Sequence, residues 1–353
     1  MKKSLIALAV LAASGAAMAQ SSVTLFGVVD AGVGRISADK SVSGVTNSGL
    51  SSSRLGFRGV EDLGGGLSAG FWLEGGMSND EGTGKGGGAA GPGFEFKRRS
   101  TVSLAGAFGE VRLGRELAVG YDKASSYDPF GTIGVGGFLA WSGTNGVAGG
   151  TSLGQPVRVG NGVSYRTPGN LGGFFAQAHY AFGETPSGSA YSKAGNYMAL
   201  AGGYENGPLS ATLAVDKLRG TAVNTDVSSF SLAASYDFGV VKPSFIWNQQ
   251  KVNSNPEVKL ASYLIGLTAP VGPGSLKVSY SNYDLKRSNN DSSVLAVGYV
   301  YDLSKRTAVY GTYAHLNNKA GAARVLGTGG LSGAATAVGE NVNGYQVGIR
   351  HAF

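Results

Sequence analysis

Connections between the apolar-alternating segments of this 353-residue chain run long, then short, then long, from one end to the other. Seven are tight: 62–66, 106–109, 168–173, 206–208, 238–240, 271–274 and 303–306. Eight are longer and more polar: 36–52, 77–97, 117–157, 185–195, 220–226, 253–258, 285–292 and 317–341. Between them lie sixteen segments in which apolar residues alternate with small or polar ones: 23–35, 53–62, 67–76, 98–106, 110–116, 158–168, 173–184, 196–205, 209–219, 227–238, 241–252, 259–271, 274–284, 293–303, 306–316 and 342–353. Period-two alternation is the mark of a strand with one apolar face. Hairpins whose tight turns all fall at one end define an up-and-down antiparallel sheet. An even strand count puts both ends of the sheet on the side of the tight turns.

The polarity of the faces decides what surrounds that sheet. In "GYQVGIRHAF", Tyr345, Val347, Ile349 and Phe353 share one face, while Gln346, Gly348, Arg350 and Ala352 share the other. "RLGFRGV" places Leu55 and Phe57 on one side, Arg54 and Arg58 on the other; "SAGFWLEGG" opposes Phe71 and Leu73 to Trp72 and Glu74. In "RTAVYGTYAHL" parity leaves the inward face open. A water-soluble barrel, sandwich or propeller needs an apolar interior; a polar, charged interior with an apolar exterior is the inverse. A closed barrel is the one sheet that satisfies every backbone polar group in lipid. The pattern therefore implies an all-β, sixteen-stranded antiparallel transmembrane β-barrel. Tyr236, Tyr263, Tyr299 and Tyr345 suit an interfacial girdle.

The first residues agree with export. Lys2 and Lys3 precede an apolar run, Leu5 to Ala13, and Ala17-Met18-Ala19 is a small-x-small cleavage site. Residues 1–19 read as a cleaved signal peptide and 20–353 as one barrel. Removing two lysines takes the net charge from +7 to +5 (7 − 2). No later apolar run reaches the length of a membrane-spanning helix. The chain has no cysteine, so thiol nucleophiles, disulfides and Cys-based metal sites are excluded. Its three histidines, His179, His315 and His351, stand apart in strand-like contexts, and neither a catalytic group nor a metal or cofactor site is expected. "GTGKGGG" (82–88) lacks the Ser or Thr and the helix of a phosphate loop. The basic pI of about 9.4 comes without a basic helix, which argues against nucleic acid.

Inward cations cluster near the long-loop ends of the early strands: Arg54, Lys97, Arg98, Arg99 and Arg158. Parity points Arg99 inward with Thr101 and Ser103, and turns Arg98 outward unless a bulge intervenes. Glu74, Asp122 and Asp128 are the acids of neighbouring segments, the last two in 117–157. That connection is too long for an ordinary turn and carries Tyr127, Phe130, Phe138 and Trp141. A solvated loop has no use for them; a third long loop folded into the barrel does. Sixteen strands enclose an aqueous channel. Cations on its wall facing acids on an inserted loop would set up a transverse field with a preference for anions. Arginine keeps its charge at any physiological pH.

These stretches resemble a known family. "SSVTLFGVVDAGV", "SSRLGFRGVEDLGGGLSAGFWLEGG", "FKRRSTVSLAGAFGEVRLGRE", "SYDPFG", "GVSYRTPGNLGGF", "GYVYDLSKRTAVYG" and the terminal "GYQVGIRHAF" look like the general diffusion porins of β-proteobacterial outer membranes. The resemblance implies passive diffusion of small hydrophilic solutes, with residues 117–157 as the constriction loop. It implies a homotrimer in the outer membrane, in contact with lipid and lipopolysaccharide. It marks Arg54, Arg98 and Arg158 as the pore-lining arginines of anion-selective members, and Glu74 and Asp128 as the facing acids. It thus favours Arg98 where parity favours Arg99, and both are carried. Tyr345 and Phe353 resemble the assembly signal read by the outer-membrane insertion machinery. Pro129 and the Gly-rich remainder of the third loop depart from the pattern. The alternative class is a channel specific for phosphate, organic acids or sugars, the last of which would need a track of aromatics drawn from Trp72, Phe130, Phe138 and Trp141.

Overall fold

The computed structural model describes residues 22–86, 89–90, 93–141, 154–222, 224–319, 321–327, 331 and 338–353. The signal peptide and the stretch 142–153 of the third long loop lie outside the described residues.

Among the described residues nineteen strands form one sheet. They are β1 Ser22–Ser37, β2 Ser41–Asn47, β3 Arg54–Gly64, β4 Leu67–Ser78, β5 Thr83–Gly86, β6 Ala89–Ala90, β7 Arg99–Gly106, β8 Gly109–Leu117, β9 Arg158–Arg166 and β10 Phe174–Ala181. They continue as β11 Tyr197–Asn206, β12 Leu209–Leu218, β13 Val227–Tyr236, β14 Lys242–Val252, β15 Val258–Val271, β16 Gly274–Leu285, β17 Ser292–Asp302, β18 Thr307–Asn318 and β19 Val342–Ala352. Three belong to long loops. β2 folds back on the upper half of β1, and β5 and β6 extend β4 as a small hairpin, in the stretch where a phosphate loop would have required a helix. The remaining 19 − 3 = 16 are barrel staves, each antiparallel to its neighbour. β19 closes the ring on β1, with Val28 opposite Ala352 and Ser37 opposite Asn343.

The alternation read from sequence sorts the faces. Val33, Leu25, Phe174, Leu200, Ile265 and Val347 are exposed on the outside, as a lipid-facing surface requires. On the opposite face of the same sheet Ser231, Asn248, Gln250, Ser262 and Gln346 are buried. β18 is now assigned: Ala308 and Tyr310 face inward, where the Tyr310 hydroxyl donates to Asp30 Oδ1 at 2.7 Å. Asp30 also accepts the backbone N–H groups of Leu50 and Ser51 at 2.8 and 2.6 Å, tying the first long loop to the wall.

The inner wall is not polar throughout. Ala233, Ile246, Leu260, Leu264, Val294, Ala296, Ala314 and Leu316 form an apolar patch on the inward side of β13 to β18. Tyr127, Phe130, Phe138, Leu139 and Trp141 of the third long loop are buried against it. That segment begins with a short helix, α1 (Val119–Ser125), whose Val119 packs with Tyr197, Ala199 and Ala214 of the wall. Polar contacts fix the rest. The Tyr127 hydroxyl meets Ser210 Oγ at 2.7 Å, Leu139 N donates to the Tyr283 hydroxyl at 2.8 Å, and Gln250 Nε2 donates to the Ala140 carbonyl at 2.6 Å. Two wall glycines make room: a Cβ at Gly266 would sit 2.6 Å from Pro129, and one at Gly298 2.9 Å from Phe130. The described part of the loop is thus packed on the inward face of the sheet, held there by the burial of aromatic surface.

Candidate functional site

Beside this loop, β3, β4, β7, β8 and β9 wall a cavity of about 310 Å³ that brings six arginines together: Arg54, Arg98, Arg99, Arg112, Arg158 and Arg166. Three carboxylates, Glu74, Glu116 and Asp122, share it, with Trp72. Each acid is matched to an arginine. Arg98 Nε donates to Glu74 Oε1 at 2.6 Å, while Trp72 Nε1 holds the other oxygen at 3.2 Å. Arg112 bonds Glu116 at 3.1 Å and Glu110 at 2.7 Å. Arg166 lies 3.5 Å from Glu116 and 3.4 Å from Asp122 on α1, joining the wall to the loop.

The other three cations have no such partner among the described residues. Among the described residues, no carboxylate oxygen comes within ion-pair distance of Arg54, Arg99 or Arg158. Arg158 Nε donates to the carbonyl of Arg98 at 3.0 Å. Arg99 Nε donates to Thr101 Oγ1 at 2.9 Å, and its guanidinium lies 4.6 Å from the Trp72 ring centroid. Arg58 stacks 5.1 Å from the same ring, so Trp72 holds two cations by its π face. The lining carries six positive against three negative charges, 6 − 3 = +3.

Arg98 and Arg99 both enter the cavity. Strand alternation begins only at Arg99, whose Cα partner is Glu74. Arg98 precedes it, anchored by its own N–H to the Glu74 carbonyl at 3.0 Å, and so escapes the period-two rule. Lys97 stands apart: its ammonium pairs with Glu95, and its carbonyl accepts from Arg115 Nε at 2.7 Å. Asp128 is elsewhere too. Its carboxylate is buried within the third loop and accepts from Phe130, Thr132 and Phe138 N–H groups at 2.9, 2.7 and 2.8 Å. Burial pushes that carboxyl above the ordinary aspartate range, with the three N–H groups opposing. Asp128 shapes the loop rather than facing the arginines.

Arg112, Glu116 and Arg166 complete the site without having been singled out in the sequence. Parity contains them: in "GEVRLGRE" Glu110, Arg112, Gly114 and Glu116 oppose Val111 and Leu113, and Arg166 shares its face with Ser164. Of the aromatic candidates, Phe130, Phe138 and Trp141 are buried, the last two packed on each other and on Tyr283 and Tyr121, leaving Trp72 alone in the cavity. At the far end of the chain Tyr345 and Phe353 are exposed on the outer face. Phe353 exchanges backbone bonds of 2.9 and 3.0 Å with Gly27, over which its ring lies.

A Gram-negative porin family profile matches residues 5–321. The chain is 48% identical to outer membrane porin protein 32 of Delftia acidovorans, over the whole of both chains. It is 32% identical to an outer membrane porin protein of Bordetella pertussis, covering 89% of this chain and 94% of the relative. Among solved structures it superposes on an anion-selective porin from Comamonas acidovorans with a TM-score of 0.85 and 44% identity, covering 95% of this chain and all of the other.

Proposed function

The chain belongs to the Gram-negative porins and is an outer-membrane general diffusion porin, and from that premise we propose that its water-filled lumen passes small hydrophilic solutes with a preference for anions. The observation that carries the preference is the charge balance of the cavity: Arg98, Arg112 and Arg166 answer its carboxylates, and Arg54, Arg99 and Arg158 remain as net positive charge. A cation excess beside low-dielectric walls raises the local concentration of anions. The relative described as anion-selective supports the same reading.

In this reading the third long loop, 117–157, is the constriction, and Asp122 and Glu74 set the acidic side of its field. Residues 1–19 are a signal peptide removed on export. The long loops face outward, the mature protein is a homotrimer, and Tyr345 and Phe353 present the terminal strand to the insertion machinery. The porins that the chain matches are channels rather than enzymes, and this reading follows them. Among the described residues no histidine is hydrogen-bonded to a carboxylate: His315 and His351 meet Asn343 and Thr307, and both His179 ring nitrogens lack a partner. The burial of three of the four candidate aromatics disfavours a sugar track.

The test is the reversal potential of purified protein in a planar bilayer across a tenfold KCl gradient. Chloride preference is expected; potassium preference would overturn the reading while leaving the barrel intact.

A further inference from the structure

A second cationic site lies on the inward face, on the opposite arc of the ring from the arginine cavity, with which it shares no residue. Inward positions of β14 are marked by buried Ser244, Ile246 and Asn248, and the position before them is Lys242. Its Cα partner on β15 is Thr268, whose partner on β16 is Lys277, in phase with buried Ser279 and Ser281. Both lysines stand a few residues beyond a tight turn, at the tight-turn end of the lumen. At a strand spacing of about 4.8 Å their Cα atoms lie about 10 Å apart, so both ammonium groups can reach one ion between them.

A cavity of about 240 Å³ opens over this row, with residues 126–129 of the third long loop on one side and Ser235, Ser244 and Thr268 on the wall. Gly266 keeps it open, since a Cβ there would lie 2.5 Å from Ser244 Oγ. Among the described residues neither ammonium has a carboxylate within ion-pair distance. Asp128 lines the cavity, but its carboxylate is taken up by three N–H groups of its own loop. Asp302 and Arg350 act on Lys277 with opposite signs. Ser244 is only 8% exposed, and its hydroxyl has no hydrogen-bond partner among the described residues. Two ammonium groups on one row with no carboxylate between them repel, and an anion seated between them replaces that repulsion with attraction.

We propose that this cavity is a discrete binding site for a tetrahedral oxyanion of the phosphate class, held between Lys242 and Lys277 with Ser244 donating its hydroxyl. The choice of class follows from the donors. Arginine presents a planar fork that matches a carboxylate, whereas lysine is a compact point charge. Here two lysines and the hydroxyls of Ser235, Ser244 and Thr268 come from four strands, β13 to β16, an arrangement suited to oxygens disposed in three dimensions. The proposal deepens the anion preference argued above and rests on it for the route by which the ion arrives: the arginine cavity attracts anions as a field, and the lysine cavity retains one.

The experiment uses the full mature protein in detergent and inorganic phosphate as probe, with reductive methylation of individual lysines, read by mass spectrometry, as the measure of occupancy. Phosphate should protect Lys242 and Lys277 together, at one half-saturating concentration, and leave Lys251, on the outer face and paired with Glu257, unprotected. Lys277→Gln should raise the half-saturating concentration at Lys242 at least about sixfold, from the loss of one charge about 4 Å from the ion in water. Ser244→Ala should raise it about two- to tenfold, the worth of one hydrogen bond. Arg54→Gln with Arg158→Gln should leave it unchanged. Malonate, a dicarboxylate, should protect more weakly at equal ionic strength. Protection of Lys251 alongside the pair, or a Lys242 half-point indifferent to Lys277→Gln, would overturn the proposal; equal protection by malonate would overturn the tetrahedral assignment. Potassium preference in the bilayer would sink the anion reading of the pore without altering any of these outcomes, so the two failures are distinguishable.

Discussion

Arg158 and Arg98 touch through a single hydrogen bond, yet they should differ in what their loss does to ion selectivity. Arg158→Gln removes one unit of charge that, among the described residues, no carboxylate pairs with at ion-pair distance. For an ion passing at about 5 Å in water, the Coulomb energy of one charge is about 0.8 kcal/mol. Screening at 0.1 M salt, with a Debye length of about 10 Å, reduces this to about 0.5 kcal/mol. Chloride occupancy then falls about 2.3-fold and potassium occupancy rises by the same factor, so the permeability ratio shifts about fivefold. At 1 M, where the Debye length is about 3 Å, the shift shrinks to about 1.7-fold. The double variant Arg98→Gln with Glu74→Gln removes an ion pair and leaves the net charge unchanged, and its ratio should stay near that of the parent. Reversal potentials of the two variants, taken at both salt levels, make the comparison. If the double variant shifts as far as Arg158→Gln, or if the Arg158→Gln shift does not shrink with salt, net charge is not the source of selectivity.

Phe138→Ala removes a ring stacked 5.5 Å from Tyr283, and should weaken attachment of the third loop by about 3–5 kcal/mol, read as faster protease cleavage of the loop and noisier single-channel current in an otherwise folded barrel. Tyr283→Phe removes the hydroxyl that accepts from Leu139 N at 2.8 Å and should cost the same attachment about 0.5–1.5 kcal/mol, measured the same way. Gly27→Ala puts a Cβ 2.8 Å from the Arg54 carbonyl and into the Phe353 ring, so the yield of heat-modifiable folded protein should fall while secretion does not. Asp128 has a raised pKa, so the folded loop binds more protons than the unfolded one between the ordinary aspartate value and the raised value. Attachment therefore strengthens as pH falls through that window and levels off above it; loop noise should be lower at the acid end, and Asp128→Asn should abolish the dependence.

The staves were legible because each strand has two environments, lipid and water, and the period-two pattern records both. The face of β18 was not, because Tyr310 and Tyr313 are equally amphipathic and only the Asp30 partner, supplied from β1, separates them. The same arithmetic that gave Arg54 and Arg158 also held Arg112 and Arg166, whereas Arg98 broke it by sitting outside its strand. Helix α1 is seven residues long and its N-cap, Ala118, makes no side-chain cap, so nothing local announced it. β2 pairs because β1 runs on to Ser37 and offers an edge, a cause found in its neighbour. One clue is general: β15, with Tyr263, Ile265 and Leu267 outside and Leu260 and Leu264 inside, is apolar on both faces. In a water-filled barrel, that signals something dry lying against the inner wall.

The seam where β19 meets β1 makes the barrel a structure that is finished only by its last strand. Until then β1 keeps an unpaired edge along Val28 to Ser37, and the penultimate stave, β18, offers a second. Open edges invite pairing with foreign strands. The segment that seals them is separated from its partner by nearly the whole chain, so local hairpins can form early but closure waits on the most distant contact. Quality control is thereby built into the geometry: a chain that lacks β19 cannot conceal these edges, and remains recognisable as an open sheet.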